Sequence, residues 1–174
     1  DMSLLLGSNL TDAGFLLEHP ALYKWLEFRI RCVTELFEEI YGAIKAAKPQ
    51  VEFRYNNYLR YPEYAGLDFS KVRDYMDSVR DSDYSEQNGA QDHYRYKRNT
   101  LLKIRMGLGF DKEVIAAMAC RPNATTELMK ESIKVMSTVG IDGISLGHYD
   151  GSTFELLDAV KDGMKEAQIE VCTL

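Results

Sequence analysis

Carboxylates gather at two points of this sequence. Asp81, Asp83 and Glu86 crowd the segment Asp81-Ser82-Asp83-Tyr84-Ser85-Glu86, and Asp150 closes a second polar cluster, His148-Tyr149-Asp150. Two carboxyl groups about 5–9.5 Å apart can cleave a glycosidic bond, one as general acid and the other as nucleophile or base. Glu86 is the leading candidate for acid–base work and Asp83 the second, although Asp81 and Asp83 are equally suited to capping or hydrogen bonding. His148 could polarise or bind a ligand hydroxyl, and a lone histidine at a strand end also has structural uses. Arg54 and Arg121 could hold a substrate carboxylate or pair with the aspartate cluster. Most of the 11 tyrosines lie between residues 55 and 96. A flat ring with a hydroxyl suits the apolar faces and polar edges of a sugar, although any one tyrosine can simply pack a loop.

Other chemistries lack their residues. Cys32, Cys120 and Cys172 have no metal-ligand spacing. Cys32, on a helical apolar stripe, and Cys120, at a strand end, read as small buried hydrophobes. Gly107-Leu108-Gly109 follows a helix rather than a strand, so it is no phosphate-cradling loop. The expectation is therefore a site with no metal and no cofactor.

The elements that must carry these residues follow a strand-then-helix cadence. Strand-like runs begin near Val51, Ser78, Glu113 and Ile141, roughly 30 residues apart, the length of a βα unit in a parallel sheet. Each ends in a polar cluster: Arg54-Tyr55-Asn56-Asn57, Asp81-Ser82-Asp83-Tyr84, Cys120-Arg121-Pro122-Asn123 and His148-Tyr149-Asp150. Loops of this kind are polar in any case, but in parallel α/β folds ligands bind at the carboxyl ends of the strands. The spacing predicts a single domain over 1–174, with an irregular leader over 1–21 and βα repeats over 22–174.

Between the strands, Trp25, Phe28, Cys32, Val33, Leu36, Phe37, Ile40 and Ile44 recur at helical steps over Ala21 to Ala47, stopped by Lys48-Pro49. Asp68 introduces a short helix. A further helix runs from about Gln91 to Leu108, with Gly109 as its stop. It contains the basic stretch Tyr94-Arg95-Tyr96-Lys97-Arg98, read as a solvated face. Val114 to Ala119 is continuously apolar, as for a strand covered on both faces. Leu128, Met129, Ser132, Ile133 and Met136 carry a helix ending at Gly140. Ser152 and Glu155 form a capping box before a last helix, with Phe154, Leu157, Val160, Met164 and Ala167 as its core stripe.

Composition bounds the class. With 174 residues, 45% hydrophobic and 28% charged, the chain suits one globular domain. A net charge of −6 argues against a nucleic-acid surface. No apolar run approaches the ~20 residues of a membrane span, and Asp1-Met2-Ser3-Leu4-Leu5-Leu6 lacks the charged start of a signal peptide. A soluble protein is expected, with its compartment open.

Several segments together resemble the second half of a TIM-barrel glycoside hydrolase of the family 42 β-galactosidase kind. They are Trp25-Leu26-Glu27-Phe28-Arg29, the Lys48-Pro49 exit, the strand ending in Asn56-Asn57, Tyr75-Met76-Asp77-Ser78-Val79-Arg80-Asp81-Ser82-Asp83-Tyr84, and Gly143-Ile144-Ser145-Leu146-Gly147-His148-Tyr149-Asp150. The resemblance implies a half-barrel of about four parallel strands, matching strands five to eight. It also implies a catalytic pair incomplete in this chain. The family's general acid would lie before Asp1, and strand seven ends Met118-Ala119-Cys120-Arg121-Pro122, without a carboxylate.

The expectation is thus a carbohydrate-active, glycoside hydrolase-like domain, its enzymatic status open. Glu86 and Asp83 would be catalytic, and Arg54, Asn56, Tyr84, Arg121, His148 and Asp150 would bind substrate. Its expected partners are a carbohydrate and a second copy or the other half of the barrel, but neither nucleic acid nor membrane. The alternatives are a non-catalytic half-barrel or sugar-binding, oligomerising module, and another (βα)-barrel enzyme of aldolase or isomerase type. The latter needs a strand-end lysine or a metal cluster.

Overall fold

Val114 to Ala119 is apolar throughout, and all of it except half-buried Ile115 is buried. In the computed structural model, which describes residues 18–59, 62–84, 86, 93–148 and 150–168, this run is the third of four parallel strands. Side chains at 93–96 are not described. The strands are β1 (Arg54–Asn57), β2 (Ser78–Asp81), β3 (Glu113–Ala119) and β4 (Gly143–Gly147). Their spatial order is β1-β2-β3-β4, so each successive strand is laid beside the last by a helical crossover. The expected α/β half-barrel of about four parallel strands is the observed architecture.

The register fixes which side chains share a face. Arg54, Ser78 and Glu113 are neighbours at the amino edge, Asn56, Arg80 and Ile115 lie one step on, and Ser145 pairs with Ala117. Side chains alternate along a strand, so Arg54, Asn56, Arg80, Ile115 and Ser145 occupy one face, which is partly exposed. Tyr55, Asn57, Val79, Asp81, Val114, Ala116 and Met118 occupy the other. That second face is packed beneath helices. Val79, Val114, Ala116 and Met118 join Leu101, Ile104, Met129, Ile133 and Val160 in one core cluster. Burial of each large apolar side chain there contributes about 1.5–3 kcal/mol.

The covering helices are α1 (Pro20–Ala47), α2 (Phe69–Val72), α3 (His93–Leu108), α4 (Thr126–Ser137) and α5 (Phe154–Glu166). Proline at the first turn of α1 costs no hydrogen bond, and the helix stops at Lys48-Pro49 as expected. Asp68 caps α2 by accepting from the Ser70 amide at 2.9 Å. Gly109, at φ 80°, turns the chain out of α3. No helix among the described residues is long and apolar enough to cross a membrane.

Several local expectations are corrected. The polar cluster Arg54-Tyr55-Asn56-Asn57 is not the end of a strand but β1 itself; Val51 lies before it and is exposed. Hydrogen bonding to β2 holds these polar residues extended, overriding their weak strand propensity. The predicted α1 stripe is only partly buried. Leu22, Leu26 and Phe37 face the core, whereas Cys32 is exposed and Phe28 and Leu36 each retain 52% of their surface. A helix apolar on more than one side can turn only one of them to a single sheet. At α5 the cap is Thr153, whose hydroxyl accepts from the Leu156 amide at 3.3 Å, not Ser152. Phe154 is exposed rather than in the stripe.

Candidate functional site at the carboxyl ends of the strands

The chain leaves β2 through Ser82, Asp83 and Tyr84, leaves β3 through Cys120 and Arg121, and leaves β4 through His148. These exits meet over the partly exposed face. Arg80, on that face, reaches across the sheet. Its Nε donates to Ser145 Oγ at 3.0 Å, one terminal nitrogen to Ser82 Oγ at 2.7 Å, and the other to the Tyr84 hydroxyl at 2.6 Å. The guanidinium is thereby a clamp that folds Tyr84 back over the strand ends.

Tyr84 rests on Gly147. A Cβ at that position would lie 2.6 Å from the tyrosine ring, so only glycine permits this approach. His148 meets the same ring edge-on, with centroids 4.8 Å apart and planes at 77°. Its backbone has φ 52°, the left-handed region in which His is among the few side chains enriched. A terminal nitrogen of Arg121 lies 2.9 Å from His148 Nδ1. Because arginine can only donate, Nδ1 accepts, and the imidazole proton sits on Nε2. Ser145, Arg80, Tyr84, His148 and Arg121 thus form one connected rim across β2, β3 and β4.

Below the rim, on the helix-covered face, lies a buried cluster of opposite character. Asp81 Oδ1 accepts from Asn57 Nδ2 at 2.8 Å. Its other oxygen is buried without a hydrogen-bond partner. Burial, first of all, raises the Asp81 carboxyl to about 7; the Asn57 hydrogen bond and Lys97 oppose this, and Asp83 and Glu86 add to it. Glu86 is fully buried. It is ion-paired with Lys97, accepts from Ser132 of α4, and accepts from the Ala119 amide at 3.2 Å. Lys97, equally buried, also donates to the Ala117 carbonyl at 3.0 Å. This ion pair ties α3 and α4 to the end of β3.

The predicted site residues therefore separate. Tyr84, Arg121 and His148 come together, with half-buried Asp83 in the same exit from β2. Asn56 is exposed on the same face as Arg80. Asp150 is exposed in the loop after β4. Arg54 sits at the opposite, amino edge, bonded to Glu52, to Ser78 Oγ at 3.0 Å and to Glu113. Its expected place beside the aspartates is thus corrected, since residue 54 opens its strand instead of closing it. Cys120 is buried and accepts from Ser152 Oγ at 2.9 Å. Among the described residues no group of three His, Cys, Asp or Glu is placed to hold a metal ion.

Three contributors, Arg80, Lys97 and Asn57, are not among the predicted site residues. Arg80 was detectable, since alternation in Ser78-Val79-Arg80-Asp81 sends it to the face opposite Val79. Lys97 lies one and two helical turns before Leu101 and Ile104, on the apolar stripe of α3 rather than its solvated side. Asn57 sits one residue beyond the predicted Asn56 and faces the buried carboxylates instead.

No family model matches this sequence, and no curated protein matches it. Among solved structures the chain is similar to the PgaB (BpsB) glycoside hydrolase domain from Bordetella bronchiseptica. The TM-score is 0.57 at 13% sequence identity, over 94% of this chain and 48% of that one. The chain therefore spans about half the length of its structural neighbour. At this identity the likeness is one of fold, and it carries nothing specific to family 42. The chain has a glycoside hydrolase-like (βα) fold.

Proposed function

We propose that the rim at the carboxyl ends of β2, β3 and β4 binds carbohydrate, and that the chain is a glycoside hydrolase-like, carbohydrate-active half-barrel. The observation that supports this best is Tyr84. It is a flat ring clamped by Arg80 and backed by His148 at the end of the sheet where such folds place ligands. Its ring would take the apolar face of a sugar, and Arg121, His148 and Asn56 would take hydroxyl groups. Asp83 would serve as acid–base, with Asp150 as the second carboxylate of the rim. Glu86, saturated by Lys97, Ser132 and the Ala119 amide, would hold the rim in place without touching substrate.

Turnover of aryl glycosides tests this, β-galactosides first because of the sequence resemblance. Asp83→Asn is expected to lower turnover by about a hundredfold or more, the usual loss with a general acid–base group. Unchanged turnover removes that role from Asp83. A second reading, a sugar-binding module without hydrolysis, is favoured by the burial of Asp81 and Glu86 on the helix side. It predicts oligosaccharide binding by calorimetry that Asp83→Asn leaves intact, with no turnover in either protein.

A further inference from the structure

Three arginines elsewhere among the described residues are matched to carboxylates, whereas Arg29 and Arg31 lie over aromatic rings. Arg54 pairs with Glu52 and Glu113, Arg73 with Asp111, and Arg105 with Asp142. The two guanidinium groups of the rim are not. All three hydrogen bonds of Arg80 go to neutral hydroxyls, on Ser145, Ser82 and Tyr84. Arg121 is bonded to the neutral ring of His148. Neither forms an ion pair with a carboxylate among the described residues. Toward the described residues Arg80 leaves two of its five N–H groups unused and Arg121 leaves four, and His148 Nε2–H adds a further donor beside them.

A half-buried guanidinium without a counter-charge loses hydration on folding and gains nothing ionic in return. In a chain of net charge −6 there was no shortage of carboxylates to pair with it. Two such groups at a proposed ligand-binding rim, linked through Tyr84 and His148, make a donor-rich surface that a neutral sugar would not fully use. A planar carboxylate or a sulfate ester would accept several of these donors at once.

We infer that the saccharide taken by this rim is acidic, its anionic oxygen group held by Arg121 and His148 with Arg80 supplying charge from behind Tyr84. This deepens the carbohydrate reading above and rests on it. The ring of Tyr84 would take the sugar face, and Arg121 would decide between charged and neutral sugars.

The test is calorimetric titration of the full chain at low salt with matched pairs of oligosaccharides. Oligogalacturonates and oligoglucuronates are compared with their methyl esters, and sulfated oligosaccharides with their desulfated counterparts. The acidic member of at least one pair is expected to bind about tenfold more tightly than its neutral partner, the scale of one charge-assisted hydrogen-bonded contact. Whether a uronate or a sulfate is preferred identifies the anionic group. Arg121→Gln should abolish the difference and Arg121→Lys should restore part of it, both with an unchanged melting profile. Equal or tighter binding of the neutral members overturns the inference and leaves the carbohydrate reading standing. A preference that survives Arg121→Gln removes Arg121 from the role and overturns it as stated. Binding of no saccharide overturns both.

Discussion

Asp81 couples the buried cluster to pH. Its carboxyl, raised to about 7 from an ordinary 3.8, keeps its proton in the folded chain where the unfolded chain has released it. Below pH 4 both states are protonated and no penalty exists. Between about pH 4 and 7 the unfolded state alone ionises, so stability falls as pH rises, then levels off above 7. The contribution is up to about 4 kcal/mol. Asp81→Asn keeps an acceptor for Asn57 and should gain stability over the parent between pH 5 and pH 8, measured by urea unfolding. An equal effect at both values removes Asp81 as the titrating group. Lys97 and Glu86 make a second prediction at this scale. Lys97→Met strands a buried carboxylate and should cost about 3–5 kcal/mol, whereas Glu86→Gln combined with Lys97→Met should cost less than Lys97→Met alone. The presence of both groups is legible in the sequence. Their pairing is not, because Glu86 and Lys97 meet only once the chain after β2 folds back against α3.

At the scale of elements, the rim depends on how β4 ends. Gly147→Ala would push a Cβ into the Tyr84 ring, and the ring cannot yield without breaking its bond to Arg80. A stability loss of about 1–3 kcal/mol is expected from such overpacking, with weaker saccharide binding. Retention of both would show that Tyr84 is not held there. The start of α5 separates two neighbouring hydroxyls. Thr153→Ala should cost about 1 kcal/mol by thermal or urea unfolding. Ser152→Ala, which removes only a bond to Cys120, should cost less. Both residues satisfy the capping pattern in the sequence. The choice between them comes from backbone geometry: Thr153 is the extended residue from which the helix begins. The same limit applies to α1, whose apolar residues span too wide an arc for periodicity to reveal which stripe meets Phe53 and Tyr55.

For the whole molecule, β1 and β4 are both edge strands of the described sheet, and one of its faces is partly exposed. Unpaired strand edges favour association. Sedimentation over a range of concentrations is therefore expected to show reversible self-association, and a monomer at every concentration would contradict it. The chain's own residues determine the four βα units and the all-parallel order, because an apolar run every roughly 30 residues with a helix between leaves the strands only parallel crossovers. They also place Asp83, Tyr84, Arg121 and His148 after strands, and hence at the ligand end of the sheet. Alternation separates Arg80 from Val79 in the sequence, but tertiary structure decided which end of the sheet each polar group occupies and which groups meet at the rim. Shifting a strand's start by a few residues changes which end of the sheet a side chain occupies, and alternation sends adjacent residues to opposite faces. For that reason Arg54 lies at the far edge, Asp81 lies buried, and its neighbour Arg80 holds the rim together.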